Sequence, residues 1–192
     1  MLASNGLSPS DDELIAGVAR GEMDCLEKLL NRYRSIAYRV AYRLLGHEAD
    51  ALDAVQDGFL KVLTNLPRFR GESSFKTWLL RVVSNAALDI GRQRQLAENR
   101  FSSPRSTDEL EWIDPSPPPD TYLDRSDLRE QLDHAVSSLP EHQRLAFVLH
   151  ADGGLAYREI ADMLGISIGT VMSRLFYARQ RLKILLADQV LR

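Results

Sequence analysis

The sequence predicts an all-α protein built as two small helical domains. Three observations predict it. Apolar residues recur at three- and four-residue spacing in both halves of the chain, no stretch alternates apolar and polar residues as a half-buried strand does, and a proline-rich acidic segment separates the two periodic stretches. At 192 residues and 44% hydrophobic content the chain is long enough to bury two cores.

The elements follow in order. Ser10-Asp11-Asp12-Glu13 has capping-box spacing, in which serine and glutamate satisfy the free N–H groups of a helix start; a short helix runs from there to about Ala19, and Gly21 breaks it. A longer run from about Asp24 to Leu45 carries Leu26, Leu29, Leu30, Tyr33, Ile36, Ala37, Val40 and Leu44, and ends at Gly46. A third helix spans about Glu48 to Leu66, with Leu52, Val55, Phe59 and Leu63 in one stripe before Pro67 stops it. The fourth runs from about Ser74 to Gln95. These helices make a first domain over 1–95. Residues 96–125 read as a linker: five of the eight prolines fall there among several acids, a composition that is extended and semi-stiff and lets the flanking domains sit well apart. Trp112 and Ile113 are its apolar exceptions, either docked on a domain or a partner or incidentally exposed. The second domain, 126–192, reads as helices at about 126–138, 141–151, 157–164 and 167–188, with Pro140 opening the second and Gly153-Gly154 closing it.

Composition excludes several classes. No apolar run approaches the roughly 18 residues of a membrane span, and MLASNGLSPSDDELIAG lacks a basic segment followed by an apolar one, so the reading is cytoplasmic, untargeted and without membrane insertion. The single cysteine, Cys25, excludes an internal disulfide and reads as a buried thiol. The four histidines (His47, His134, His142, His150) have no Cys or acidic partners at metal-ligand spacing, and no phosphate-cradling glycine loop is present; the expectation is no catalytic set, no metal and no cofactor. Net charge is −3, but it alternates along the chain: −4 over 1–60, +5 over 61–100, −6 over 101–135 and +2 over 136–192. Two basic zones flanking an acidic one suit two surfaces that meet a polyanion while the connection between them is repelled by it. Solvated charge without a partner is the alternative.

Tyr157 to Phe176, YREIADMLGISIGTVMSRLF, has the spacing of a helix-turn-helix. Ile160, Leu164, Ile166 and Val171 hold one helix across the other, Ala161 permits a close crossing and Gly165 supplies the turn. At about 100° per residue, Val171, Leu175, Ala178, Leu182 and Leu185 form an inward stripe. Thr170, Ser173, Arg174, Tyr177 and Arg181 fall on an adjacent face with groups that suit phosphates and base edges. Arg179 and Lys183 lie further round, nearer phosphates than bases. Ser167 is an N-cap, so the helix start also offers N–H groups to a phosphate. Gly169 leaves room for close backbone approach, and Met172 sits where a contact to a thymine methyl, packing on sugar or plain exposure are all open.

In the first domain Asp50, Asp53 and Asp57, with Gln56 at the margin, share a face away from the Leu52/Val55/Phe59 stripe, which suits a basic protein surface or simple solvation. After them, Leu66 to Arg94 interleaves cations with Phe69, Phe75 and Trp78, as single-stranded nucleic acid requires, since bases stack on rings while Lys and Arg follow the backbone. The competing reading makes Phe75, Trp78, Leu79 and Val82 core residues at helical spacing.

DAVQDGFL, FRGESSFKTWLLRVVSNAALD and YREIADMLGISIGTVMSRLFYARQRL together resemble bacterial RNA polymerase sigma factors of the extracytoplasmic-function (ECF) group, in the family's motif order and over nearly the whole chain outside the linker and the first residues. The resemblance implies that the first domain, region two, holds core polymerase at the β′ clamp helices through the helix with Asp50, Asp53, Gln56 and Asp57. It also implies that Phe75, Lys76, Trp78, Arg81 and Asn85, with Arg70, Arg92 and Arg94, lie in or near the surface that captures the minus-ten strand, where a base is flipped into a pocket. The helix-turn-helix is similar to region four, which implies minus-thirty-five reading by Ser167, Gly169, Thr170, Met172, Ser173, Arg174, Tyr177, Arg179 and Arg181. Met172 departs from the family, which usually has Lys or Arg there. The implied partners are core polymerase (β′ clamp helices and β flap), promoter DNA and an anti-sigma factor, and the implied function is transcription initiation at a stress-responsive regulon. A sigma-like regulator or adaptor that does not itself initiate is the alternative.

Overall fold

Local chemistry fixes each helix boundary. In the computed structural model, which describes residues 8–101 and 125–190, these boundaries give eight α-helices: α1 (Asp11–Ala19), α2 (Met23–Leu45), α3 (Glu48–Asn65), α4 (Phe75–Phe101), α5 (Arg125–Ser137), α6 (Glu141–Ala151), α7 (Tyr157–Leu164) and α8 (Ile168–Val190). The capping box forms: Ser10 Oγ accepts the Glu13 N–H at 3.2 Å, and the Glu13 carboxylate accepts the Ser10 N–H at 2.7 Å. Gly46 ends α2 at φ 68° and Gly165 ends α7 at φ 66°, left-handed positions that a side chain would strain. Pro67 lies in a short 3-10 turn, and Ser74 caps α4 by accepting the Thr77 N–H at 3.1 Å. The end of α4 departs from expectation. It continues past Gln95, so Leu96 to Phe101, read as linker, are helical, because Gln, Leu, Ala, Glu and Arg there contain no breaker. Trp112 and Ile113 lie outside the described residues.

The first module is α2, α3 and α4 packed around Val40, Leu44, Ala54, Val62, Leu79 and Val83, all essentially buried. A Cβ on Gly58 would sit 2.7 Å from Val83 Cγ2, so α3 and α4 cross where only glycine fits. The α1 helix is tied on by polar contacts: Tyr33 Oη donates to Asp11 Oδ2 and Arg32 Nη1 to Asp11 Oδ1, both at 2.5 Å. Burial and the adjacent Asp11 carboxylate push the Tyr33 hydroxyl well above the ordinary tyrosine range. Cys25 is half-buried rather than buried, its thiol donating to Glu22 Oε2 at 3.3 Å.

The stripe on α3 needs correction. Its core face is Ala51, Ala54, Val55, Gly58 and Val62, whereas Leu52 is 49% exposed and Phe59 and Leu63 are half-buried. Apolar residues cover too wide an arc of α3 for its neighbours to bury. In the second module Val136, Leu145, Leu149, Ile160, Val171, Leu175, Ala178 and Leu182 close the core around α8, as the inward stripe predicts, with Leu185 packed at its edge.

The two modules touch, although the linker's composition would let them sit well apart. Arg43 of α2 pairs with Asp133 of α5 and lies 3.8 Å from Asp152 after α6. Leu80 of α4 packs on Gly153, where a Cβ would meet Leu80 Cδ1 at 3.1 Å and Leu149 O at 2.5 Å. Acidic groups of the second module face basic ones of the first, which favours contact.

Candidate nucleic-acid interface

Four surfaces carry the chemistry. The first is the start of α4, where Phe69, Phe75 and Trp78 cluster with ring centroids 5.0 to 6.1 Å apart. Phe75 is 2% exposed and belongs to the core, as the competing reading of its helical spacing has it, and it packs against Phe69 and Trp78 from within. Trp78 is half-buried and lines a cavity of about 670 Å³ with Arg68, Phe69, Arg70 and Arg81. That cavity combines aromatic faces with guanidinium groups, the pairing that an extruded base and its phosphate need. Arg68 joins the expected residues here, beside the Phe69 of the interleaved aromatics; its signal is the LPRFRGESS segment, whose turn carries both beside Trp78.

The remaining predicted cations divide. At about 100° per residue Arg81, Asn85 and Arg92 share one face of α4. Arg94 lies on another side, bonded to Asp50 of α3 at 3.0 Å, so it is separated from Arg81 and tied to the first module's own acid. Lys76, on the first turn, donates to Gly154 O at 3.1 Å, Arg81 Nη2 to Asp162 O at 3.1 Å, and Arg92 Nη2 to Glu141 Oε1 at 3.0 Å. All three acceptors belong to the second module. Thr77, buried between Ser74 and Glu159, donates to Glu159 Oε1 at 2.6 Å.

The second surface lies across α2 and α3. Leu30, Tyr38, Leu52, Gln56, Phe59, Leu60 and Leu63 line an open groove of about 1060 Å³. Asp53 and Asp57 are exposed on the adjoining face of α3, but Asp50 leaves this row, held by Arg94 and 3.7 Å from His47. Leu52, Phe59 and Leu63 of this groove come from the stripe that the α3 pattern picks out.

The third is the exposed side of α8. The Ser167 hydroxyl caps the helix by accepting the Thr170 N–H at 3.0 Å, and Ser173 Oγ donates to Thr170 O at 3.0 Å. Ser173, Tyr177 and Arg181 are exposed and Thr170 and Arg174 half-exposed, with no ion pair to Arg174 among the described residues. Gly169 has an ordinary helical backbone, and a Cβ there would make only an ordinary contact with Ser167 Oγ at 3.7 Å, so packing alone does not require glycine. Met172 is 55% exposed in a ridge with Ile168 and Phe176, and Arg179 sits 3.4 Å from the Tyr157 hydroxyl. The fourth, smaller surface joins Tyr177, Arg181 and Ile184 to Gln143 of α6. Among the described residues no group of His, Cys, Asp and Glu is arranged to hold a metal, and no helix is long and apolar enough to cross a membrane.

Residues 29–96 match Sigma-70 region 2 and residues 129–182 match Sigma-70 region 4. The chain is 35% identical over 189 residues to the ECF RNA polymerase sigma factor SigE of Mycolicibacterium smegmatis, covering 96% of this chain and 72% of that one. Its fold is similar to CnrH, solved with the cytosolic domain of CnrY (TM-score 0.69, 25% identity, 93% of this chain and 97% of that one). It is likewise similar to the sigma factor RpoE from Bartonella quintana, solved with the anti-sigma factor NepR (TM-score 0.66, 26% identity, 84% and 96%). A first helical module that matches region 2, followed by a helix-turn-helix module that matches region 4, defines an RNA polymerase sigma factor. The chain belongs to the ECF group of RNA polymerase sigma factors.

Proposed function

We propose that this sigma factor binds core polymerase through the α2–α3 groove and its Asp53/Gln56/Asp57 margin, captures the minus-ten strand at the start of α4, and reads the minus-thirty-five duplex with α8. The observation that carries the reading is the α4 cavity, where Trp78 and Phe69 lie beside Arg68, Arg70 and Arg81. Roles divide by module: residues 1–95, extended by the helical end of α4, take polymerase and minus-ten DNA, and 126–192 take minus-thirty-five DNA and the β flap. The chain contributes specificity, and the chemistry of RNA synthesis is the polymerase's. It works in the cytoplasm, where its polymerase is.

The regulon is stress-linked, as the family resemblance implies, and an anti-sigma factor restrains this chain; the structural neighbour RpoE, solved with one, supports the second part. Run-off transcription with purified core polymerase and a promoter library tests the proposal. Initiation from a defined subset of promoters is expected; core binding without initiation from any promoter would leave the adaptor reading instead.

A further inference from the structure

Gly169, Met172, Ser173 and Phe176 are spaced i, i+3, i+4 and i+7 on α8, so they line one face of the helix, and all four are exposed. That face is poor in hydrogen-bond donors. The Ser173 hydroxyl gives its one proton to Thr170 O at 3.0 Å, so it turns only lone pairs outward. Met172 and Phe176 are 55% and 56% exposed, and Tyr177 meets the Phe176 ring edge-on at 5.5 Å between centroids. One turn before Met172, Gly169 leaves bare backbone, although a Cβ there would meet nothing closer than Ser167 Oγ at 3.7 Å. Packing inside the protein therefore does not account for this notch. Side chains of a helix lean toward its N-terminus, which carries the Met172 thioether toward it.

The face is continuous with the reading surface, since Ser173 lies between Met172 on one side and Thr170, Tyr177 and Arg174 on the other. Its occupant is then the major groove, where the apolar group that base pairs present is the C5 methyl of thymine. We propose that the Gly169 notch, walled by Met172 and Phe176, receives a thymine methyl, and that Met172 is the residue that makes this chain select thymine at that base pair. This rests on the minus-thirty-five reading of α8 above and names the group that Met172 meets. Ser173 Oγ, with its lone pairs outward, accepts an amino N–H of an adjacent adenine or cytosine.

The test removes the methyl and nothing else. Holoenzyme reconstituted from the full chain and core polymerase selects duplexes from a promoter pool randomised over the minus-thirty-five region. Each thymine of the enriched duplexes is then replaced singly by deoxyuridine, which keeps every hydrogen-bonding group. For the parent, one such replacement should weaken binding about fourfold, the weight of one buried methyl. Met172→Ala should bind the thymine and uracil duplexes alike. Met172→Leu should keep the preference, because its side chain remains apolar and similar in size. No enriched thymine, indifference of the parent to every uracil, or a thymine preference that Met172→Ala retains overturns the proposal. So does a Met172→Ala defect confined to pull-down of core polymerase, which would make this a protein-docking face. If in those cases Arg174→Ala still weakens binding of the enriched duplexes, the minus-thirty-five reading stands alone. If no sequence is enriched and Arg174→Ala changes nothing either, both fall.

Discussion

Phe75 and Trp78 are three residues apart on α4, and burial separates their roles. With Phe75 fully inside, Phe75→Ala should destabilise the first module by about 3–5 kcal/mol in urea unfolding, through the cavity it leaves. Trp78→Ala, at a half-exposed ring beside the cationic cavity, should instead weaken single-strand binding by about 1–3 kcal/mol. On α8, Arg174→Ala should weaken minus-thirty-five binding by about 1–3 kcal/mol if it holds a base by two hydrogen bonds, and should relax choice at that base pair in a competition assay. Met172→Arg tests the family departure: the side chain is solvent-exposed beside Ser173, so an added cation should raise affinity for all duplexes and steepen the salt dependence. An unchanged salt slope would mean that the position does not meet DNA. Much of this site was legible because cations beside aromatics and a turn glycine report chemistry locally. The inward turn of Phe75 was legible only as one of two readings, since periodicity places a residue on a face without saying whether that face is covered.

The α3 helix shows why an element can be read correctly and its surface misread. Its length, its start and its stop near Pro67 follow from local signals, and the helix forms within a residue of expectation. Ala51, Ala54, Gly58 and Val62 are small enough to let α2 and α4 close in, so the bulky Leu52, Phe59, Leu60 and Leu63 are displaced onto a groove instead of the core. Leu60 at 55% exposure and Leu52 at 49% are the accessible parts of that groove. Leu52→Lys with Leu60→Lys should therefore leave the unfolding midpoint nearly unchanged while abolishing pull-down of core polymerase. Asp53→Lys with Gln56→Lys should weaken the same binding and leave duplex affinity of α8 intact. Loss of both activities together would identify the acidic margin as structural. The close crossing predicts a further outcome: Gly58→Ala should cost about 1–3 kcal/mol, because its Cβ would meet Val83 at 2.7 Å and α4 must shift.

At the scale of the molecule, the least legible feature is the seating of one module on the other. Its hydrogen bonds join residues 49 to 82 positions apart, and nothing local in Thr77 or Glu159 announces the pair. Contact between the modules should depend on pH through Glu159. The Thr77 hydroxyl, then the Ala156 N–H, hold Glu159 below its usual 4.5, with Lys76 adding a smaller effect. The Ala156 bond is within the second module, so the Thr77 and Lys76 contributions are those that separation removes. They favour contact above the usual carboxylate range and are lost as pH falls through the lowered value. Contact should therefore weaken as pH falls, and Glu159→Gln should flatten that response. Energy transfer between dyes on α3 and α8, followed from neutral pH to about pH 4, reads the slope. An unchanged slope in Glu159→Gln would mean that this carboxylate does not sense the contact between the modules.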